Sequence, residues 1–363
     1  MSAAELPART LTRLGRTVPA LAAGCWPLAG PCVNGGADVG WAPINDATAL
    51  HALRAAWATG LRLFDTADIY GHGLGEQRVG QLLAEVPREQ MLVITKTGYD
   101  RQGGHPYQAL QMTRRLGRSL ARLGTDYLDI YAFHSGDFGT DDQHLAEAVA
   151  QIREFKREGM IRAIAMRAPH EFAAEWATED TPRGQRAKRF LHLFDQIQPD
   201  IVSVRHNLLS PAYGPNETTV LDLARRRGVD VLLKQVLGQG LLVHHDPPPV
   251  FAVGDHRRRH AWFSPLGRRL IWDGLHPVRD RYGQTPADLV RVAIQYALAT
   301  APASVALVGF RTAAQITATA HISSPLTPEE VADLAAIGAR IRATLDEVFR
   351  VPQPALNSIG RLT

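Results

Sequence analysis

Four residues whose side chains can move a proton, Asp65, Tyr70, Lys96 and His134, fall at or just beyond the ends of apolar runs. Asp65 closes Leu63-Phe64-Asp65, and Tyr70 follows in Asp68-Ile69-Tyr70-Gly71. Lys96 ends Val93-Ile94-Thr95-Lys96, and His134 ends Tyr131-Ala132-Phe133-His134. A tyrosine with an ordinary pKa of about 10 is a poor acid at neutral pH. A lysine cation beside it favours the phenolate and lowers that pKa. A buried lysine needs a carboxylate partner, which Asp65 can supply. A histidine can hydrogen-bond a substrate oxygen and orient it. The set fits protonation of a carbonyl oxygen during hydride delivery. Taken singly, each has a plainer reading: Lys96 and Asp65 as a structural ion pair, His134 as a satisfied core histidine, Tyr70 as the cap of a hydrophobic cluster. Convergence of all four on successive strand ends favours chemistry.

Such residues act together only if strands bring their ends together. Short runs rich in leucine and β-branched residues occur at 20–24, 62–65, 92–95, 127–133, 161–166, 201–204, 231–233 and 305–308. Helical segments lie between them at 46–59, 75–84, 108–123, 144–158, 183–194, 217–227 and 286–299. This alternation argues for parallel βαβ units. Eight such strands close into an α/β fold of the (β/α)8 TIM-barrel class, in which residues at the strand C-terminal ends face the active site. Asn45-Asp46 can cap the first helix, and Thr285-Pro286 places proline in the first turn of the last. Gly60, Gly124, Gly159 and Gly228 each follow a helix, where a left-handed cap favours glycine. Residues 10–13 and 17–18, flanking Gly15, read as an N-terminal hairpin closing the barrel bottom. Residues 244–284, rich in Pro, His and Arg, read as a long loop before the last barrel helix, of the functional or disordered kind. A C-terminal helix runs from Thr327 to about Leu345. No repeat or linker divides the chain, so one domain is expected over 1–363, with the barrel core at about 18–320.

The 363 residues suit one such barrel with added loops. A content of 45% apolar and 21% charged residues is that of a soluble protein with a large core. There is no run of about twenty apolar residues to span a membrane, and Glu5 and Arg9 interrupt any export signal. The two cysteines, Cys25 and Cys32, form no CxxC motif or Cys/His cluster, so neither a disulfide framework nor a zinc site is expected, which suits a reducing cytoplasm. The net charge of +4 is compatible with an anionic ligand. The short basic runs at 225–227 and 256–260 lack interleaved aromatics, so no nucleic-acid partner is expected. A homo-oligomer is left open.

The stretch from Gly60 to Gly71, with Gly75-Glu76 and Leu82-Leu83 after it, resembles the aldo-keto reductase signature. So do Arg13-Leu14-Gly15-Arg16, Glu158-Gly159-Met160-Ile161-Arg162-Ala163-Ile164 and Asn207-Leu208-Leu209. Leu237-Gly238-Gln239-Gly240-Leu241-Leu242 and Val308-Gly309-Phe310-Arg311-Thr312 with Gln315 complete the resemblance, which covers about residues 9–346. It implies NADP(H)-dependent reduction of a small-molecule aldehyde or ketone, or the reverse oxidation. It also implies cofactor binding without a Rossmann fold, so the lack of a GxGxxG after a strand is no objection. By resemblance Asp65, Tyr70, Lys96 and His134 are the catalytic four, and Gly309, Arg311 and Gln315 hold the adenosine end. The Arg311 guanidinium is well shaped for a 2′-phosphate; without the resemblance it reads equally as a solvated arginine at a helix start.

At the nicotinamide end the chain departs from the family pattern. Arg167-Ala168 stand where Ser-Asn is frequent after strand five, Ser203 where Gln is usual on strand six, and His206 where Tyr often precedes the motif Asn207. Lys234 replaces the aromatic that stacks on the nicotinamide, His244-His245 a Gly-Lys pair, and Ala318-Thr319 the Glu-Asn pair that holds adenine. Each loss removes a stacking face or hydrogen bonds, at about 1 kcal/mol each, unless Arg167 or Lys234 compensates. Cofactor contacts are expected from Trp26, Arg167, Ser203, Lys234, Leu237, Gly309, Arg311 and Gln315. Trp41, His72, Tyr99 and the 244–284 segment are further candidate pocket walls. Asp100 and Asp137 could attract a cationic substrate but read more simply as solvated loop carboxylates. Two other functions remain open on the same barrel: redox-neutral acid–base elimination or isomerisation, with a Schiff-base variant at Lys96, and NADP(H) sensing that regulates a partner.

Overall fold

The computed structural model describes residues 6–99, 103–243, 250–319 and 325–349. Asp100, His244 and His245 lie outside the described residues. An antiparallel hairpin, β1 (Ala8–Leu11) with β2 (Arg16–Pro19), leads into the first barrel strand, β3 (Leu21–Gly24). A second small hairpin, β4 (Val33–Asn34) with β5 (Ala37–Asp38), precedes α1 (Asp46–Ala58). The other barrel strands are β6 (Leu63–Asp65), β7 (Leu92–Thr97), β8 (Leu128–Phe133), β9 (Ile161–Arg167), β10 (Ile201–Arg205), β11 (Asp230–Lys234) and β12 (Val305–Gly309). They pair in parallel in chain order, and β12 pairs back onto β3 to close the barrel. Between them run α2 (Leu74–Leu83), α3 (Ala109–Leu123), α4 (Leu145–Arg157), α5 (Pro182–Ile197) and α6 (Val220–Arg227). Asn45 caps α1 by accepting from the Thr48 amide at 2.8 Å. Gly124 and Gly228 end α3 and α6 in the left-handed conformation, at φ 67° and 61°.

Two sequence expectations need correction. Residues 244–284 are not one long loop: α7 (Pro265–Gly274) and α8 (His276–Tyr282) precede α9 (Pro286–Thr300). Prolines there start helices, in the first turn where no amide hydrogen is needed, instead of breaking them. Several strands also run past their apolar stretches. β7 continues through Lys96 to Thr97, and β9, β10, β11 and β12 end on Arg167, Arg205, Lys234 and Gly309. The polar ends stop the hydropathy pattern but not the ladder, for Lys96 is in register with Ala132 and Arg205 with Lys234. After the barrel come α10 (Ala313–Ala318) and α11 (Pro328–Phe349), the latter packing Ile337, Ile341 and Leu345 with Ile271 and Leu275. No helix among the described residues is long and apolar enough to cross a membrane.

Strand side chains alternate between faces, and in this barrel the alternation fixes the site. Ala22, Leu63, Ile94, Ala132, Ala165, Ile201, Leu232 and Leu307, one per strand, pack together inside the barrel. Their successors Ala23, Phe64, Thr95, Phe133, Met166, Val202, Leu233 and Val308 point the other way, mostly into the apolar layer shared with the helices. Two residues on from the inner set, the interior row continues at the C-terminal mouth as Gly24, Asp65, Lys96, His134, Arg167, Ser203, Lys234 and Gly309. On β10 one further step of two reaches Arg205.

Candidate active site

The mouth brings Asp65, Tyr70, Lys96 and His134 together. Lys96 Nζ lies 2.8 Å from Asp65 Oδ1, donates to Thr66 O at 2.5 Å, and lies 3.3 Å from Tyr70 Oη. Tyr70 comes from the turn after β6, whose Gly71, His72 and Gly73 all have positive φ, at 58°, 53° and 97°. A Cβ on Gly71 would stand 2.3 Å from Ala29 O, so that turn requires glycine. The ring of Tyr70 meets that of His134 edge-on at 5.8 Å and stacks on Trp26 at 5.7 Å. Tyr99 also meets the His134 ring edge-on, at 4.7 Å.

Electrostatics divide the roles. Burial pushes the Tyr70 phenol up to about 12, although the Lys96 ammonium pulls against it. The expected net lowering by Lys96 is therefore outweighed, because desolvation of a phenolate exceeds the attraction of one cation already shared with Asp65. Burial opposes the charge on Lys96 too, but Asp65 and Tyr70 more than offset it and hold the ammonium above its ordinary value. Burial raises the Asp65 carboxyl, with Lys96 opposing. We take the pair as charged at neutral pH on its 2.8 Å contact. His134 is pushed well below the usual histidine range, first by burial and then by Lys96, Arg167 and Lys234. It is a neutral imidazole whose Nδ1 has no hydrogen-bond partner among the described residues.

Residues 31–339 match the model of the Aldo/keto reductase family. The chain belongs to that family. It is 30% identical over 250 residues to L-galactose dehydrogenase of Arabidopsis thaliana, covering 67% of this chain and 69% of that protein. It is 32% identical over 293 residues to the NADH-specific methylglyoxal reductase of Escherichia coli (strain K12), covering 75% and 78%. The glycerol dehydrogenase structure from Gluconobacter oxydans shares the fold, with a TM-score of 0.68 at 21% identity over 94% of this chain and 96% of that one.

In this aldo/keto reductase the remaining expected site residues fall into two groups. Arg167, Ser203 and Lys234 join the mouth. Arg167 donates to Tyr99 Oη at 2.7 Å and to His170 Nε2 at 3.1 Å. Trp26 stands beside the mouth and donates to Val39 O at 3.0 Å, with Trp41 and His256 against its ring at 5.8 and 4.2 Å. Leu237 starts the tight turn after β11. Gly309, Arg311 and Gln315 gather at the β12 end, where Gln315 Oε1 accepts from the Arg311 amide at 2.8 Å. The Arg311 guanidinium is already engaged, donating to the carbonyls of Pro27, Ala42 and Pro43 at 2.9, 3.0 and 2.7 Å. His72 instead meets Cys32 Sγ at 3.4 Å, and Asp137 Oδ1 accepts from its own turn at Gly139, 3.0 Å.

The residues present fit a nicotinamide dinucleotide along one sector. Gly24 and Gly309 are in register on neighbouring strands, so at these two strand ends on the β12–β3 side of the mouth no side chain projects. A Cβ on exposed Gly309 would come within 3.1 Å of Pro27 Cγ. Bare backbone at such a place admits close approach of a ligand. The segment after β11 reaches across to the β3 side: Gly254 O accepts from the Gly40 and Cys32 amides at 2.8 and 3.2 Å, and Arg258 pairs with Asp38 at 2.7 Å. Sequence reasoning missed Arg205, which is buried at the end of β10. The family pattern singles out Ser203, where glutamine is usual, but counting by two from interior Ile201 reaches Arg205 as well.

Proposed function

We propose that this enzyme reduces an aldehyde or ketone to the alcohol with NADP(H), and that Tyr70 donates the proton. The carrying observation is the single Lys96 ammonium bound between the Asp65 carboxylate and the Tyr70 hydroxyl, at 2.8 and 3.3 Å. A nicotinamide held at the mouth would supply the hydride to the carbonyl carbon. Tyr70 is protonated throughout the neutral range, since burial holds its pKa at about 12. It gives its phenolic proton to the carbonyl oxygen. Lys96 then neighbours the phenolate, and Asp65 keeps Lys96 charged and in place. His134, neutral, donates a hydrogen bond to the same oxygen and fixes its position. A water proton restores Tyr70.

Trp26, Arg167, Ser203 and Lys234 would border the nicotinamide, and Leu237, Gly309, Arg311 and Gln315 would hold the rest of the cofactor. A 2′-phosphate must share the Arg311 fork with the carbonyls of Pro27, Ala42 and Pro43. A Schiff base at Lys96 finds no support, because an ion-paired ammonium is not a nucleophile. Tyr70→Phe tests the proposal. Turnover should fall by about 10²–10⁴-fold while the NADPH dissociation constant, read by fluorescence, stays within about twofold. Retention of more than roughly a tenth of wild-type turnover would remove Tyr70 from the role.

A further inference from the structure

Three basic side chains on adjacent strands share one wall of the mouth, and among the described residues none of them makes a salt bridge to a carboxylate. Arg167, Arg205 and Lys234 end β9, β10 and β11 on the interior row, and the register sets Arg205 beside Lys234 and Arg167 beside Ser203. Arg205 is 9% exposed, and its Nη2 has no hydrogen-bond partner among the described residues. Among the described residues Arg167 bonds to the Tyr99 hydroxyl and His170 Nε2, neither of them a carboxylate. A guanidinium only donates, so His170 Nε2 accepts and the ring proton sits on Nδ1. That Nδ1 is also without a partner among the described residues. The neighbouring carboxylates are committed elsewhere, Asp65 to Lys96 at 2.8 Å and Glu171 to Arg342. Buried cations without a counter-charge are unfavourable. The strain is mutual: burial first, then Arg167 and Lys96, hold the Lys234 amine well below its ordinary pKa. One anion bound at this wall relieves all three side chains.

We propose that the β9–β11 wall is a carboxylate subsite, in which Arg205, Lys234, Arg167 and His170 Nδ1 hold the acid group of a substrate whose carbonyl lies at Tyr70. The substrate class is then an oxo acid, an aldehyde or ketone that also bears a carboxylate. This rests on the reductase reading above. The subsite and the proton donor open on one mouth, because Asp65, Lys96, His134, Arg167 and Lys234 all stand on its interior row. The Arg205 fork matches a carboxylate in shape, and its free Nη2 lacks only the acceptor.

The test compares 4-carboxybenzaldehyde with benzaldehyde as substrates, and measures binding of terephthalate, which has no carbonyl to reduce. The wild type should favour the carboxylated aldehyde in kcat/KM by about tenfold or more, the factor one charge-assisted contact supplies. Arg205→Met should erase that ratio and abolish terephthalate binding in calorimetry. Its melting temperature should hold or rise, because an unpaired buried charge is removed. Lys234→Met must lower the ratio as well, so the outcome does not hang on one variant. Equal use of both aldehydes by the wild type overturns the proposal, as does an unchanged ratio in Arg205→Met. If Arg205→Met instead weakens NADPH and NADH binding alike and spares the ratio, the wall serves the cofactor's pyrophosphate and the carboxylate subsite is wrong. If neither aldehyde is turned over but terephthalate binds the wild type and not Arg205→Met, the subsite stands and the reductase reading fails. If terephthalate does not bind the wild type either, both fail.

Discussion

Replacing Lys96 with methionine separates the two tasks of its ammonium. Nζ lies 2.8 Å from Asp65, 2.5 Å from Thr66 O and 3.3 Å from Tyr70 Oη. Methionine keeps most of the length and volume, so the change is chiefly electrostatic. Asp65, 7% exposed, would be left without a cation. Stranding one member of a buried pair costs about 3–5 kcal/mol. For a chain of this size about 2 °C of melting temperature accompanies each kcal/mol, so the variant should melt about 6–10 °C below wild type at neutral pH. Burial already raises the Asp65 carboxyl, and without Lys96 only the weaker pull of Lys234 opposes it. A carboxyl whose folded pKa exceeds its unfolded value binds more protons when folded. Its contribution is therefore present at low pH and lost as pH rises through the folded pKa. The variant's deficit should accordingly shrink on acidification and grow towards neutrality, in thermal unfolding followed from about pH 4 to about pH 8. Turnover should fall by about 10²–10⁴-fold, because Tyr70 loses the cation that stabilises its phenolate. The double variant Asp65→Leu with Lys96→Met removes both charges and should recover most of the melting temperature but none of the activity. A deficit below about 1 kcal/mol in the single variant, or no recovery in the double, would refute a charged buried pair.

Arg311→Ala should lower the melting temperature of the cofactor-free protein, since three backbone carbonyls lose their donor, and should raise the NADPH dissociation constant by about tenfold more than that of NADH; equal effects on the two cofactors would leave Arg311 a clamp on the 27–43 segment and nothing more. Lys234→Tyr returns an aromatic face and removes a cation that would repel an oxidised, positive nicotinamide, so NADP⁺ should bind more tightly relative to NADPH. An unchanged NADPH/NADP⁺ affinity ratio, by competition titration, would place Lys234 away from the nicotinamide.

The barrel was legible because its strands are short apolar runs separated by capped helices, and hydropathy records both. It failed where polarity and secondary structure part company. Lys96, Arg167, Arg205 and Lys234 are strand residues by hydrogen bonding, yet an apolar-run reading stops before them. Strand ends in such a barrel are polar because they form the site, so the pattern fades where the function begins. Residues 265–282 failed for another reason. Proline and arginine were read as loop composition, whereas Pro265 and Pro277 occupy first turns of helices and Ile271, Leu275 and Val278 supply a buried face. The two-residue strands at 33–34 and 37–38 are too short to leave any periodicity. The convergence of Asp65, Tyr70, Lys96 and His134 was legible because three sit at or next to strand ends, Tyr70 lies in the turn after one, and their residue types are mutually explanatory; the engagement of Arg311 by distant carbonyls leaves no sequence signal.

On the proposed reading, the cations of the mouth also bear on why Tyr70, and not His134, would supply the proton. Around the interior row Lys96, Arg167, Arg205 and Lys234 face one carboxylate, Asp65, so the described side chains leave an excess of three potential positive charges, four less one. A histidine with a free-solution pKa of about 6.5 would ordinarily be the better acid near neutrality. Here burial, and then Lys96, Arg167 and Lys234, disfavour the imidazolium. His134 can therefore direct a carbonyl oxygen but holds no extra proton to give. Tyr70 faces the reverse situation: burial secures its proton, and Lys96 at 3.3 Å would stabilise the phenolate left by a proton transfer. An acid group bound against Arg167 and Lys234 would neutralise part of the field on His134 and strengthen its hydrogen bond as an imidazole gaining positive character. Substrate charge and carbonyl activation would thus be linked through the same side chains, which would give an oxo acid an advantage beyond the contact its carboxylate makes.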